Sequence, residues 1–428
     1  MAPDGVDSRY AWMRLGLSML LMIIGGSGMY TVIVVLPELQ REFSVARADA
    51  ALPYTLTMLG FGVGGVLLGR LADRRGVAIP LMLGGISLGA GFILAGLSGS
   101  LWQFSLIQGV LIGMLGSSAS FGPLMADTSL WFLRRRGIAV ALCASGNYLA
   151  GAIWPPVLQT MIEHWGWRNA YIAIGVLCLV TLAPLSLLMR RRAPSAGDGS
   201  IVKPEVRAAS NAVSNVASTS RSSAAQRAGE NPRPLGLPSP VLLGLLSVAG
   251  IACCIAMAMP QVHIVAYCTD LGFGAARGAQ MLSVMLATGV VSRLVFGLIS
   301  DRIGGLRTLF LGSALQALAL VLFLPFQDMV SLFVVSALFG LFQGGIVPAY
   351  AIVIREYFPA QVAASRVGVV LAFTLLGMAA GGWMSGWIFD VTGNYQAAFI
   401  NGIAWNLFNL LIIGFLLTRR AASAASRN

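Results

Sequence analysis

The stretch GRLADRRG, Gly69–Gly76, is a short charged loop between two apolar runs, and it returns in the second half of the chain as GLISDRIG, Gly297–Gly304. Gly69, Asp73, Arg74 and Gly76 match Gly297, Asp301, Arg302 and Gly304 at a single offset. Each copy follows the second apolar run of its half. Looser echoes pair Pro123 and Trp131-Phe132 with Pro348 and Tyr357-Phe358, and GWRNAY from Gly166 with GNYQAA from Gly393. The chain therefore reads as one unit used twice in parallel. In membrane proteins such a repeat goes with alternating access and a site between the halves near the midplane.

Composition places the repeat in lipid. A soluble domain carries roughly 25% charged residues; this chain of 428 residues carries 10%, is 57% hydrophobic and has a mean hydropathy of +0.81. A span needs about 20 apolar residues. Six such runs lie near 15–36, 50–69, 78–97, 102–126, 137–159 and 168–189, and six more near 241–267, 278–299, 306–325, 330–354, 366–388 and 395–418. The expectation is an all-α polytopic membrane protein with 12 transmembrane helices in two pseudo-symmetric six-helix bundles, 15–189 and 241–418. Residues 1–14 and 419–428 are expected as cytoplasmic tails. Segment 190–240, rich in Ala, Ser, Pro and Arg, reads as a disordered cytoplasmic linker, because it has too little apolar surface to offset ordering.

The net charge of +12 does not point to nucleic acid. The arginines cluster beside apolar runs, at Arg70, Arg74 and Arg75, at Arg134–Arg136, at Arg190–Arg192 and at Arg419 and Arg420, without aromatic interleaving. This is the positive-inside pattern, and it places both termini and the linker in the cytoplasm. Arg41, Arg47, Arg168 and Arg277 then fall outside, beside acids such as Glu38, Glu42, Asp49, Glu163 and Asp270. The first run has no convincing cleavage site and is expected to stay as a helix. Cys143, Cys178, Cys253, Cys254 and Cys268 have no metal-ligand spacing and read as small packing residues. No metal or cofactor is expected. With two distant histidines, no paired acids and no nucleophile beside a base, neither is an enzyme.

Arg293 stands near mid-membrane in the eighth run, 16 residues after Arg277 and 8 before Asp301. A charge at that depth costs about 2.5–3.5 kcal/mol on insertion scales. The cytoplasmic face is about 12 Å of helix away, roughly twice the reach of the side chain. A guanidinium facing a central cavity, where its planar fork suits a carboxylate, is the better reading. His263, one turn after the helix-loosening Pro260, is either a satisfied packing residue or a titrating group in the outer half of a pathway. Glycines fill the second, fourth, fifth and eleventh runs, as close helix packing requires.

The loop motif, the twelve runs and the 6+6 repeat together resemble the major facilitator superfamily. In that family Asp73, Arg74, Asp301 and Arg302, with Asp127 near the end of the fourth run, are expected to gate the cytoplasmic ends. The basic residues that usually follow the last glycine are replaced by Val77 and Ala78. A second resemblance is finer. WFLRRRGIAVALCASGNYLAG (Trp131–Gly151), PQVHIVAYCTDLGF (Pro260–Phe273), SRLVFGLISDRIG (Ser292–Gly304), REYFPAQVAASRVG (Arg355–Gly368) and FDVTGNYQAAF (Phe389–Phe399) are similar to bacterial members of the monocarboxylate porter family. The resemblance implies that Arg293 binds the substrate carboxylate and that Tyr30, Ser120, Gly122, Asn147 and Tyr148 face the cavity. Phe121, Phe342 and Phe373 are candidates for its apolar walls. Animal relatives carry an aspartate one turn before the arginine and a lysine in the first helix, where this chain has Gly289 and Tyr30. Coupling to protons then falls to His263, to another group or to the acid substrate itself. The implied protein is a monomeric carrier of lactate- or pyruvate-like acids in a bacterial inner membrane. An exchanger of the oxalate:formate antiporter type and an aromatic-acid or drug exporter of the same fold stay open.

Overall fold

Lipid offers no partner to backbone N–H and C=O groups, so each apolar run closes its own hydrogen bonds as a helix. The computed structural model describes residues 6–132, 136–191 and 234–425, and among them it is helical throughout, with no strand. Most of the expected linker, and Arg134 and Arg135, lie outside the described residues. The helices are α1 (Arg9–Gly25), α2 (Ser27–Phe43), α3 (Arg47–Arg75), α4 (Ala78–Gly96), α5 (Leu101–Ile107), α6 (Gly122–Trp131) and α7 (Arg136–Leu188). After the linker come α8 (Ser239–Asp270), α9 (Ala275–Ile303), α10 (Gly305–Leu322), α11 (Met329–Gln343), α12 (Ile346–Tyr357), α13 (Ala360–Thr392) and α14 (Gln396–Ala425).

Among the described residues, eleven of the helical runs are long and apolar enough to cross a membrane, against twelve expected. The two counts part at Ile138–Leu188, a 51-residue run. It turns at Gly166 (φ +75°, ψ +158°), in the interval that separates the fifth and sixth expected spans. The helices also run past their apolar cores. Residues 9–14 of the expected tail are helical, and Arg14 is buried, with Nε 2.8 Å from Asp127 Oδ2 and Nη2 3.1 Å from Asp127 Oδ1. At the other terminus α14 continues to Ala425.

Three expected continuous spans are broken, one of them the tenth, at Gly344–Gly345 between α11 and α12. The first interrupts at Gly26, between α1 and α2. The fourth passes from α5 into a π-helical segment, Gln108–Gly116, then a 3-10 turn, Ser117–Ser120, before α6. The cause is backbone contact with α3. A Cβ on Gly60 would lie 2.1 Å from the Gly109 carbonyl oxygen, and one on Gly64 would lie 1.8 Å from that of Met114. The C-terminal half repeats this approach, since a Cβ on Gly340 would lie 1.8 Å from the Met285 carbonyl oxygen.

The repeated loop glycines have one conformation. Gly76 (φ +86°, ψ +164°) ends α3 and Gly304 (φ +84°, ψ +160°) ends α9. That region of backbone space is essentially reserved for glycine. The sequence match at these positions is therefore a requirement of backbone geometry. Two seams join the halves. Along one, α3 packs on α13, and the Thr55 hydroxyl donates to the Ala379 carbonyl at 3.1 Å. Along the other, α7 packs on α9, and the Ser283 hydroxyl donates to the Ala152 carbonyl.

Candidate functional site

Arg293 sits on α9 in the second seam, half-buried. Its Nη1 donates to the Ala144 carbonyl of α7 at 2.9 Å, and its guanidinium carbon lies 4.0 Å from the centre of the Tyr148 ring. Nε is buried without a hydrogen-bond partner, and Nη2 makes no hydrogen bond among the described residues. Nε and Nη2 form one edge of the guanidinium, the edge that grips the two oxygens of a carboxylate side by side. No acidic side chain comes within ion-pair distance of Arg293 among the described residues.

Tyr148 and Tyr30 are both buried. The edge of the Tyr148 ring packs against Gly289 of α9, and the Tyr30 ring packs against Gly151 of α7. The structure thus brings Arg293, Tyr148 and Tyr30 together at the junction of α2, α7 and α9. Asn147 is half-buried, with Oδ1 3.2 Å from where a Gly26 Cβ would stand, and its amide makes no hydrogen bond among the described residues. Ser120 is engaged elsewhere, since its hydroxyl donates to the Ser117 carbonyl at 2.9 Å and its side chain rests on Gly25. Gly122 is exposed and faces open space. Phe121 is half-buried against Phe61, with ring centres 5.8 Å apart; Phe342 on α11 and Phe373 on α13 are half-buried.

His263 is not part of that group. It lies at the end of the molecule where α3 begins, fully buried, inside a network that sequence reasoning missed. His263 Nε2 is 2.8 Å from the Gly382 carbonyl oxygen, which only accepts, so Nε2 carries the proton. In the neutral ring Nδ1 then accepts from the Tyr395 hydroxyl at 3.0 Å. Tyr395 in turn accepts from Arg47 Nη1 at 2.7 Å. Arg47 grips Asp270 with Nη1 to Oδ2 at 2.7 Å and Nη2 to Oδ1 at 3.2 Å, and its guanidinium lies 4.2 Å from the Phe389 ring centre. Asp390 accepts from the backbone N–H groups of Arg47 and Ala48, both at 2.8 Å, and so caps α3. These bonds tie α3 of the first half to α8, α13 and the loop before α14 of the second. Four of the polar residues, His263, Asp270, Asp390 and Tyr395, stand in the quoted stretches PQVHIVAYCTD and FDVTGNY. The signal was present, but Arg47 lay far away in sequence and looked like an ordinary loop charge.

At the opposite end the halves are not tied in this way among the described residues. Asp73, Arg74, Asp301 and Arg302 are exposed, Gly69 is half-buried, and Asp127 pairs with Arg14 of its own half in place of the loop residues expected to meet it.

The chain belongs to the Major Facilitator Superfamily, whose family model matches residues 18–330 and 244–428. It is a multi-pass membrane transporter of that type, and not an enzyme. Among curated relatives it is 26% identical to Monocarboxylate transporter 12-B of Danio rerio, covering 100% of this chain and 91% of the relative. It is 28% identical to Monocarboxylate transporter 13 of Bos taurus, over 82% of this chain and 75% of the relative. Among solved structures, a bacterial homolog of the human lysosomal transporter Spinster superposes with a TM-score of 0.70 at 14% identity, covering 97% of each chain. A peptide transporter of the POT type in complex with sulfate gives 0.71 at 12% identity, over 96% of this chain and 94% of that one. At such identities the structural likeness speaks for the fold alone.

Proposed function

We propose that this chain carries small monocarboxylates, lactate- or pyruvate-like, across a bacterial cytoplasmic membrane by proton-coupled alternating access. One observation carries the reading: among the described residues, the Nε–Nη2 edge of Arg293 is unpartnered in the seam between the halves, with no acid beside it. A carboxylate on that edge makes two charge-assisted hydrogen bonds and cancels the charge, which lowers the cost of closing a dry site. Asn147, with its free amide, and Tyr30 are the neighbours for a hydroxyl or ketone oxygen. On this reading the chain crosses twelve times, counting the two arms of α7 separately, with six-helix units 15–189 and 241–418, and the clustering of arginines supports cytoplasmic termini and a cytoplasmic 190–240 linker.

The Arg47 end then faces outward and is latched, while the Gly76 and Gly304 end faces the cytoplasm with its gating charges apart. Opening outward breaks the Arg47 contacts and lets Asp73, Arg74, Asp301 and Arg302 close the cytoplasmic side. His263 couples this latch to protons. Protonation turns Nδ1 from acceptor to donor. Tyr395 Oη, already receiving Arg47 Nη1, then receives a second donor, and its own O–H loses its acceptor. A second cation also stands beside Arg47. The charged ring therefore disfavours the closed latch, and external acid favours the outward-open state. The test is acid-gradient-driven uptake of labelled L-lactate into proteoliposomes, with unlabelled acids as competitors. Gradient-dependent uptake inhibited by other monoacids supports the reading. No uptake, with oxalate or aromatic acids exchanged instead, overturns it in favour of an exchanger or exporter.

A further inference from the structure

Tyr148 and Gly289 form a device that aims Arg293. Ala144 and Tyr148 are four residues apart on α7, and Gly289 and Arg293 are four residues apart on α9, so each pair lies on one helix face. The faces meet crosswise. Arg293 Nη1 reaches the Ala144 carbonyl at 2.9 Å, and the Cδ1–Cε1 edge of the Tyr148 ring meets Gly289. A Cβ at Gly289 would stand 2.4 Å from Tyr148 Cε1 and 2.5 Å from Cδ1, well inside van der Waals contact with that edge. Only a residue without a side chain lets the ring edge come so close, and the face of the same ring carries the guanidinium 4.0 Å from its centre.

We infer that Tyr148 is a positioning residue, held in place by Gly289, that fixes the plane of Arg293 and leaves its Nε–Nη2 edge uncompensated for an anion. The inference rests on the monocarboxylate reading and deepens it. An aromatic face holds an arginine through its quadrupole without neutralising it. A carboxylate in the same place would pair with the guanidinium and compete with the substrate. The site therefore requires the ionised acid, and it rejects a neutral amide of the same shape.

The experiment is equilibrium binding of labelled L-lactate to the purified full chain, with lactamide as the neutral competitor. The variants are Arg293→Gln, Gly289→Ala, Tyr148→Ala, Tyr148→Phe and the double Gly289→Ala/Tyr148→Ala. A cation–π contact of ordinary strength implies that Gly289→Ala and Tyr148→Ala each weaken lactate about fivefold. The double variant is expected to be no weaker than Tyr148→Ala alone, because Gly289 acts only through the ring. Tyr148→Phe is expected to keep most of the affinity that Tyr148→Ala loses, and lactamide to compete equally poorly throughout. Multiplying losses in the double variant, or lactate binding indifferent to Tyr148→Ala, overturns the inference. Arg293→Gln separates the two readings. Retained lactate binding there sinks the carboxylate site together with this inference, whereas lost binding with multiplying losses sinks the inference alone. Thermal unfolding without ligand gives a second test that needs no substrate. The Tm losses of Tyr148→Ala and Arg293→Gln are expected to combine to less than their sum, and strict additivity overturns the contact.

Discussion

Replacing Asp270 by Asn strikes the outward latch at its strongest bond. Arg47 is buried and holds Asp270 at 2.7 and 3.2 Å, while the Asp270 side chain keeps 34% of its exposure. Hydrogen bonds to a charged group contribute about 1.5–3 kcal/mol. The exposure of Asp270 puts the value at the lower end, and the Asn carbonyl keeps one neutral bond. The closed latch should therefore lose about 1.5 kcal/mol, close to a tenfold shift toward the outward-open state. Ala51→Cys reports it. Ala51 is fully buried on α3, one turn beyond Arg47, beside the seam that Thr55 makes with Ala379. The five native cysteines are buried and give a low background. Reaction with a membrane-impermeant maleimide applied from the Arg47 side should run about ten times faster in Asp270→Asn than in the parent, scaling with the open population. An unchanged rate in Asp270→Asn and in Arg47→Gln would mean that these residues do not hold the outer side shut.

Arg293→Lys should fail in lactate uptake nearly as badly as Arg293→Gln, because an ammonium keeps the charge but lacks the two-donor edge; near-normal KM in the Lys variant would refute the geometry. His263→Gln places an amide N–H toward Gly382 and a carbonyl oxygen toward Tyr395, imitating the neutral ring at every pH. Uptake should then lose its stimulation by external acid while expression holds, and a pH profile identical to that of the parent would remove His263 from the coupling. Gly64→Ala pushes a methyl to 1.8 Å from the Met114 carbonyl oxygen, a backbone atom that cannot swing away. A loss of folded yield, measured by size-exclusion profile, is expected, and a normal profile would show that α3 and the π-helical segment separate at little cost.

Much of the architecture was legible because lipid makes length and hydropathy decisive. The repeat at Gly76 and Gly304 was readable because both loops need a conformation open to glycine. The breaks at Gly26, through Gln108–Ser120 and at Gly344–Gly345 were not, since they follow from backbone contacts between helices that no local pattern records. Arg293 is singled out in the sequence because a mid-span charge is conspicuous, while its free edge is a property of the fold. Its partner Tyr148 was named only as a residue facing the cavity, because nothing in the sequence signals that the edge of its ring rests on Gly289. Ser120 was expected at the cavity and instead bonds its own turn. The latch joins Arg47 to residues more than 200 positions away, beyond the reach of any periodicity.

The most direct test is a structure of the chain with L-lactate bound. The carboxylate oxygens are expected at Arg293 Nε and Nη2, each about 2.8 Å away, with the Tyr148 ring still beneath the guanidinium. Lactate bound elsewhere, or held with its carboxylate away from that edge, would contradict the proposed site.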